Sequence, residues 1–180
     1  MKKIFLGILL LGCLLGNSAN AGKFFLNGNY NAAGYSQSTG SVIAAVPMSS
    51  RLGYGIGYLF NENDGPRLSA TIFTSGAYDA VGGKANVDET VYDFTWLFAL
   101  NPNWYWCLGT GLAPTKVYLQ SNTNVNGNFG IGLFIGAGYK LNENFFLEGQ
   151  FRSDGSVQTS GLSSLAHYLT GFNLQAGYFF

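Results

Sequence analysis

The C-terminal stretch Tyr168-Leu-Thr-Gly-Phe-Asn-Leu-Gln-Ala-Gly-Tyr-Phe-Phe180 decides the fold. Tyr168, Phe172, Leu174, Ala176, Tyr178 and Phe180 share one parity, while Asn173, Gln175 and Gly177 hold the other. A β-strand sends successive side chains to opposite faces, so this run has one apolar face and one polar or small face. The run ends on an aromatic residue with no polar tail. In water that ending has little use. In a bilayer an aromatic ring at the end of a strand sits at the headgroup level, where such rings are enriched.

The same alternation recurs seven times upstream. The first strand, about 24–35, sets Phe24, Leu26, Tyr30 and Ala32 against Asn27, Asn29 and Asn31. The second, about 50–60, sets Leu52, Tyr54, Ile56, Tyr58 and Phe60 against Arg51, Gly53, Gly55 and Gly57. The third, about 67–78, sets Leu68, Ala70, Ile72 and Tyr78 against Arg67, Ser69 and Thr71. The fourth, about 89–100, sets Tyr92, Phe94, Trp96, Phe98 and Leu100 against Asp93 and Thr95. The fifth, about 104–113, sets Trp104, Trp106, Leu108 and Leu112 against Cys107, Gly109 and Gly111. In the sixth, about 128–141, an apolar row from Phe129 to Tyr139 opposes Gly130, Gly132, Gly136, Gly138 and Lys140. The seventh, about 145–153, sets Phe145, Leu147 and Phe151 against Glu148, Gln150 and Arg152.

Eight is an even count, and each run is near the roughly ten residues a tilted strand needs to cross a bilayer. Connections alternate in length. The stretches 61–65, 101–103 and 142–144 are short turns; about 36–49, 79–88, 114–127 and 154–167 are longer loops. Short turns belong to the periplasmic side of a transmembrane barrel and long loops to the outside. The expected fold is therefore all-β, an eight-stranded antiparallel up-and-down transmembrane β-barrel. A soluble barrel would turn its Tyr, Phe, Leu and Ile rows inward, where eight strands leave little room. It would also line its outside with glycine, a weak strand former.

Composition agrees. Only 10% of residues are charged, against 16% aromatic and 26 glycines. Lys2 and Lys3 precede a twelve-residue apolar run, Ile4 to Leu15, and Ala19-Asn20-Ala21 is a small-x-small cleavage site. Twelve residues fall short of the twenty or so that a spanning helix needs. The reading is a signal peptide over 1–21 and a barrel domain over 22–180. Leu10-Leu11-Gly12-Cys13 offers a rival lipoprotein site, which the Leu14-Leu15 continuation and the Ala-x-Ala site disfavour. After cleavage seven Lys and Arg face nine Asp and Glu, a net charge of −2, with no basic patch for nucleic acid. Cys107 is then the single cysteine, so no intramolecular disulfide forms.

These residues resemble a family. The eight strands, the Leu141-Asn-Glu-Asn-Phe145 turn, the Gly-x-Gly-x-Gly face from Gly53 to Gly57 and the terminal Gly177-Tyr-Phe-Phe180 are similar to the small OmpA-like outer-membrane barrels of Gram-negative bacteria. The resemblance covers the whole chain after the signal. It implies an outer-membrane location, contact with membrane lipid and lipopolysaccharide, and a monomer. It also implies insertion by the barrel assembly machinery, with Tyr178 and Phe180 as the assembly signal. Because the chain stops at the barrel, no periplasmic peptidoglycan-binding domain is implied.

Catalytic chemistry is sparse. The lone histidine, His167, lacks the His-x-Ser arrangement of lipid A deacylase barrels, although Ser163, Ser164 and Asp154 share its loop region. The amphipathic helix of lipid A palmitoyltransferase barrels has no counterpart before the first strand. One histidine and one cysteine on different strands make a poor transition-metal set, and no cofactor motif is present. The lumen parity carries Arg51, Arg67, Asp93, Lys140, Glu148 and Arg152, with Phe73, Phe134 and Phe146 as filling. Confined charges must pair. Arg67 and Lys140 fall near the periplasmic end with Glu148; Asp93 sits higher, within reach of Arg51 or Arg152. Val42 to Val46 in the first loop either extends the strands or meets a partner. The expected role is structural or a surface interaction with an unnamed ligand. The alternatives are a small pore for ions or small solutes, and a lipid A-modifying enzyme centred on His167.

Overall fold

The computed structural model describes residues 22–39, 42–61, 64–80, 83–119, 124–128, 130–160 and 163–180. The signal segment and Phe129 lie outside the described residues. The strands in chain order are β1 Lys23–Thr39, β2 Val42–Pro47, β3 Arg51–Leu59, β4 Gly65–Ala80, β5 Gly83–Ala99, β6 Trp104–Leu112, β7 Thr115–Leu119, β8 Asn124–Asn128, β9 Gly130–Lys140, β10 Phe145–Ser160 and β11 Ser163–Phe179. Eight of them form the wall: β1, β3, β4, β5, β6, β9, β10 and β11. Each pairs antiparallel with its neighbours in the chain. β1 pairs with β11 from Phe25↔Phe179 to Thr39↔Leu165, which closes the barrel and leaves its wall no free edge.

Alternation places the side chains. On β9, Leu133 is 64% exposed and its neighbour Phe134 is 3% exposed. The same contrast runs around the wall, so the exposed rows of Leu, Ile, Tyr, Phe and Trp form a continuous apolar band. At the end of the short turns the band finishes in touching rings. Phe98 stacks on Trp106 at 4.3 Å, Trp104 meets Tyr139 at 4.7 Å, and Tyr178 meets Phe145 and Phe180 at 4.8 and 5.1 Å. Tyr58, on the outward parity, is covered by Phe24 and Phe60 at 4.8 and 5.0 Å. A girdle of this kind marks a membrane interface.

Two of the short turns repeat one device. Asn101 Oδ1 accepts from the Asn103 and Trp104 amides at 2.9 and 2.8 Å, and Asn142 Oδ1 accepts from the Asn144 and Phe145 amides at 2.9 Å each. An asparagine side chain thus replaces the backbone acceptors that a tight turn lacks. The turn before β4 ends on Gly65, whose φ of 115° suits glycine.

Two expectations need correction. The four long connections are not open loops. Ladders run through most of them: β2 pairs with β1, β4 and β5 pair out to Ala80↔Gly83, β7 pairs with β5 and β8, and β10 and β11 pair out to Ser160↔Ser163. Val42 to Val46 is therefore strand. The apolar rows stop before the strands do. Tyr78 also faces the other way. Thr74 and Ser75 together oppose the single Asp88, a bulge that shifts the register of β4 against β5. Beyond it the parity inverts, and Tyr78 is buried.

The bulge is held by side chains. Thr74 Oγ1 accepts the Leu52 amide at 3.1 Å, and Ser75 donates to Asp88. It also brings Gly76 inward against the stem of Arg51, where a β-carbon would crowd Arg51 Cδ at 2.7 Å.

Candidate functional site

The lumen is the candidate site, and its floor is apolar. Phe25, Leu59, Leu97, Tyr105, Cys107, Phe146 and Phe179 form one buried cluster at the end of the short turns. Five inward rings each lie directly across from a glycine on the adjacent strand. The pairs are Phe25↔Gly57, Phe73↔Gly53, Phe134↔Gly109, Tyr105↔Gly138 and Phe146↔Gly177. A β-carbon at any of these glycines would run into the ring. The glycine rows therefore make room for flat side chains in a bore that eight strands keep narrow.

Above the floor sits Glu148. Arg67 Nη1 and Nη2 donate to Glu148 Oε2 and Oε1, both at 2.7 Å, a bidentate fork. The Tyr105 hydroxyl donates to Oε2 at 2.7 Å, Gln150 Nε2 to Oε1 at 2.5 Å and Cys107 Sγ to Oε1 at 3.6 Å. A carboxylate that accepts this many donors has its lone pairs well used, which a buried charge requires. A layer of amides follows: Asn173 Nδ2 donates to Asn29 Oδ1 and Gln150 Oε1, each at 3.2 Å.

Higher still, Arg152 bridges two acids. Its Nη1 donates to Asp93 at 2.8 and 2.9 Å, and its Nε donates to Asp154 at 2.8 and 2.6 Å. Arg51 donates through Nη2 to Glu89 Oε2 at 2.8 Å and to Asn31 Oδ1 at 3.0 Å. Rings back all three guanidiniums: Phe73 lies 4.9 Å from Arg51, Phe25 lies 5.8 Å from Arg67 and Phe134 lies 5.1 Å from Arg152. Arginine suits these positions because its plane stacks on a ring while its edge forks onto a carboxylate.

Of the charges read from parity, Arg67 meets Glu148 and Arg152 meets Asp93. Arg51 meets Glu89 instead of Asp93. Lys140 lies at the end of the short turns, lining a cavity of about 290 Å³ with Lys23, Asn142 and Glu143. Sequence reasoning missed Glu89 and Asp154 as members of the network. The sequence puts Asp154 in one loop region with His167, Ser163 and Ser164, whereas it lies on β10 with its carboxylate on Arg152. The His167 side chain lies outside the described part of the structure. Cys107 is a buried free thiol. Among the described residues no group of three or more His, Cys, Asp or Glu is placed to hold a metal ion.

No family model matches the sequence, and no curated protein matches it. Solved structures do. Neisserial surface protein A is 14% identical, with a TM-score of 0.59 over 84% of this chain and 95% of that one. The outer membrane protein AlkL, solved by solid-state NMR in lipid bilayers, is 13% identical, with a TM-score of 0.55 over 91% of this chain and 92% of that one. OprG from Pseudomonas aeruginosa is 13% identical, with a TM-score of 0.52 over 89% of this chain and 97% of that one. At such identities the likeness establishes the fold. This chain has the fold of the small outer-membrane barrels, an eight-stranded antiparallel barrel.

Proposed function

We propose that the protein is exported, loses residues 1–21 and resides in an outer membrane as a monomer with a structural or surface-interaction role. In this reading the lumen is a polar plug, the β-hairpins opposite the short turns face the outside, and the chain is not an enzyme. One observation carries it. Each of the buried arginines Arg51, Arg67 and Arg152 is paired with an acid, so charge in the bore is spent on internal pairs rather than offered to a solute. The apolar floor under Glu148 supports the same reading. Membrane lipid and lipopolysaccharide surround the outward rows. Tyr178 and Phe180, on the closing strand, serve the assembly machinery.

Planar-bilayer recording tests the plug. We expect no steady single-channel conductance from the wild type; a reproducible, ion-selective open state would replace the plug with a small pore. Lipid A mass spectra with and without the protein should be identical, and a changed acylation pattern would restore the enzyme reading. Intact mass of the purified protein should show Gly22 as the first residue. Proximity labelling on intact cells identifies what the hairpins meet.

A further inference from the structure

The apolar wall is not uniform. Ladder register aligns its outward side chains in rows that run across the strands. One row passes through Tyr58, Leu68, Phe94 and Thr110 on β3 to β6, and the next through Ile56, Ala70, Tyr92 and Leu112. Adjacent rows lie two residues apart on each strand, about 7 Å. Ala70 and Thr110 are the small members among Leu, Ile, Tyr and Phe. Where they sit the wall sinks into a groove of about 470 Å³, floored by the backbone of the residues between the rows. Across four strands the groove runs for about 14 Å.

The groove is lined mainly by apolar side chains. On its rim the Thr110 Oγ1 donates to the Gly132 carbonyl at 2.9 Å, so it has no hydrogen to offer an occupant, and Ser69 lies between the rows on the inward parity. The groove starts at the interfacial ring cluster of Phe24, Tyr58 and Phe60 and climbs toward the other face of the membrane. Strands tilt by about 45° to the membrane, so a row across them is oblique too.

We propose that this groove seats one acyl chain of a phospholipid anchored at the periplasmic interface beside Tyr58. A gap one row wide admits a single hydrocarbon chain. A second copy would present a convex barrel wall, which cannot enter it, and a stable protein interface buries more than about 1,000 Å². A chain lying in the groove touches protein on three sides, whereas one on the flat wall touches it on one. Dispersion contacts are lost wherever a gap is left unfilled, so the seated chain dwells longer. The inference rests on the membrane placement proposed above and goes beyond it by naming where lipid is held.

The test uses the full-length mature barrel in phosphatidylcholine vesicles doped with a phosphatidylcholine that carries a diazirine in one acyl chain. After irradiation, adducts are mapped by peptide mass spectrometry. We expect adducts concentrated on the peptides holding Ala70 and Thr110, several-fold above those at Leu147 and Leu174 on the opposite wall. Ala70→Phe fills the groove with a good strand former that faces lipid, and it should bring the groove peptides down to the level of the opposite wall. An even distribution around the barrel, or adducts unmoved by Ala70→Phe, overturns the seat. A cross-link between two copies at the groove also overturns it. Adducts nowhere on the wall would instead sink the membrane placement, and the seat with it.

Discussion

Glu148→Gln is the sharpest perturbation of the lumen. The change keeps the shape of the side chain and removes its charge. Both terminal nitrogens of Arg67 lie 2.7 Å from the two carboxylate oxygens, and both partners are almost wholly shielded from solvent. The other acids near this height offer Arg67 no relief, because Asp93 already accepts Arg152 through both oxygens. Glutamine therefore leaves a buried guanidinium without a counter-charge. It also turns an amide NH₂ toward donors that a carboxylate had satisfied, namely Tyr105, Gln150 and Arg67. Breaking a buried pair from one side costs about 3–5 kcal/mol.

The companion variant Arg67→Met keeps much of the stem's volume and removes the opposite charge. Its own cost should be similar, since it strands the Glu148 carboxylate. The double variant should cost less than the two singles together, with a coupling energy toward the upper end of the roughly 0.5–3 kcal/mol seen for contacting residues. Urea titration of the barrel in lipid vesicles measures all four proteins. Trp96, Trp104 and Trp106 all lie exposed on the outward face, so their fluorescence reports loss of the folded wall. A Glu148→Gln cost below about 1 kcal/mol, the size of an exposed ion pair, would refute a closed, paired lumen. Strictly additive singles would refute the direct pairing.

Three further outcomes follow from the same geometry. Gly109→Ala should destabilise the barrel by about 1–3 kcal/mol, because the new methyl overlaps the Phe134 ring beneath Arg152; Gly28→Ala, on the outward face with open space around it, should stay within about 0.5 kcal/mol of wild type in the same titration. Ile56→Arg or Ile135→Arg should cost about 2–4 kcal/mol in vesicle refolding titrations, and a neutral result at both sites would mean that these rows do not face lipid. Deleting Phe180 should lower the amount of heat-modifiable barrel in cell membranes while detergent-refolded protein remains folded; its amide bonds Phe24 O at 2.8 Å at the seam, and undiminished membrane levels would count against an assembly role.

The outward rows were legible because period two is a local property. Leu133 and Phe134 declare opposite faces with no knowledge of what lies beside them. The same holds for Phe73, Phe134 and Phe146, whose inward parity and burial agree. Tyr78 was not legible, because a bulge inverts parity without leaving a gap in the pattern, and only the pairing of β4 with β5 reveals Thr74 and Ser75 opposite one residue. Glu89 and Asp154 escaped notice for a related reason. Both lie on the inward parity, but the apolar outward rows that make a strand legible stop near them, and these acids sit at or beyond that boundary.

What remained hidden is everything that needs two strands at once. A glycine row reads as spare room, yet Gly177 is spare room for one particular ring, Phe146, thirty-one positions earlier. Partner choice follows the same logic. Arg152 reaches Asp154 two residues along its own strand, which alternation alone makes possible, but it reaches Asp93 across the bore. That second contact depends on the heights of β5 and β10 after the barrel has closed. Closure is set by the β1–β11 register, from Phe25↔Phe179 onward. A one-residue slip at that seam would send Asn27, Asn29 and Asn31 toward lipid. The charge pairs are thus the last features that the sequence determines and the first that a register error would destroy. For that reason the Glu148–Arg67 coupling tests the seam as well as the plug.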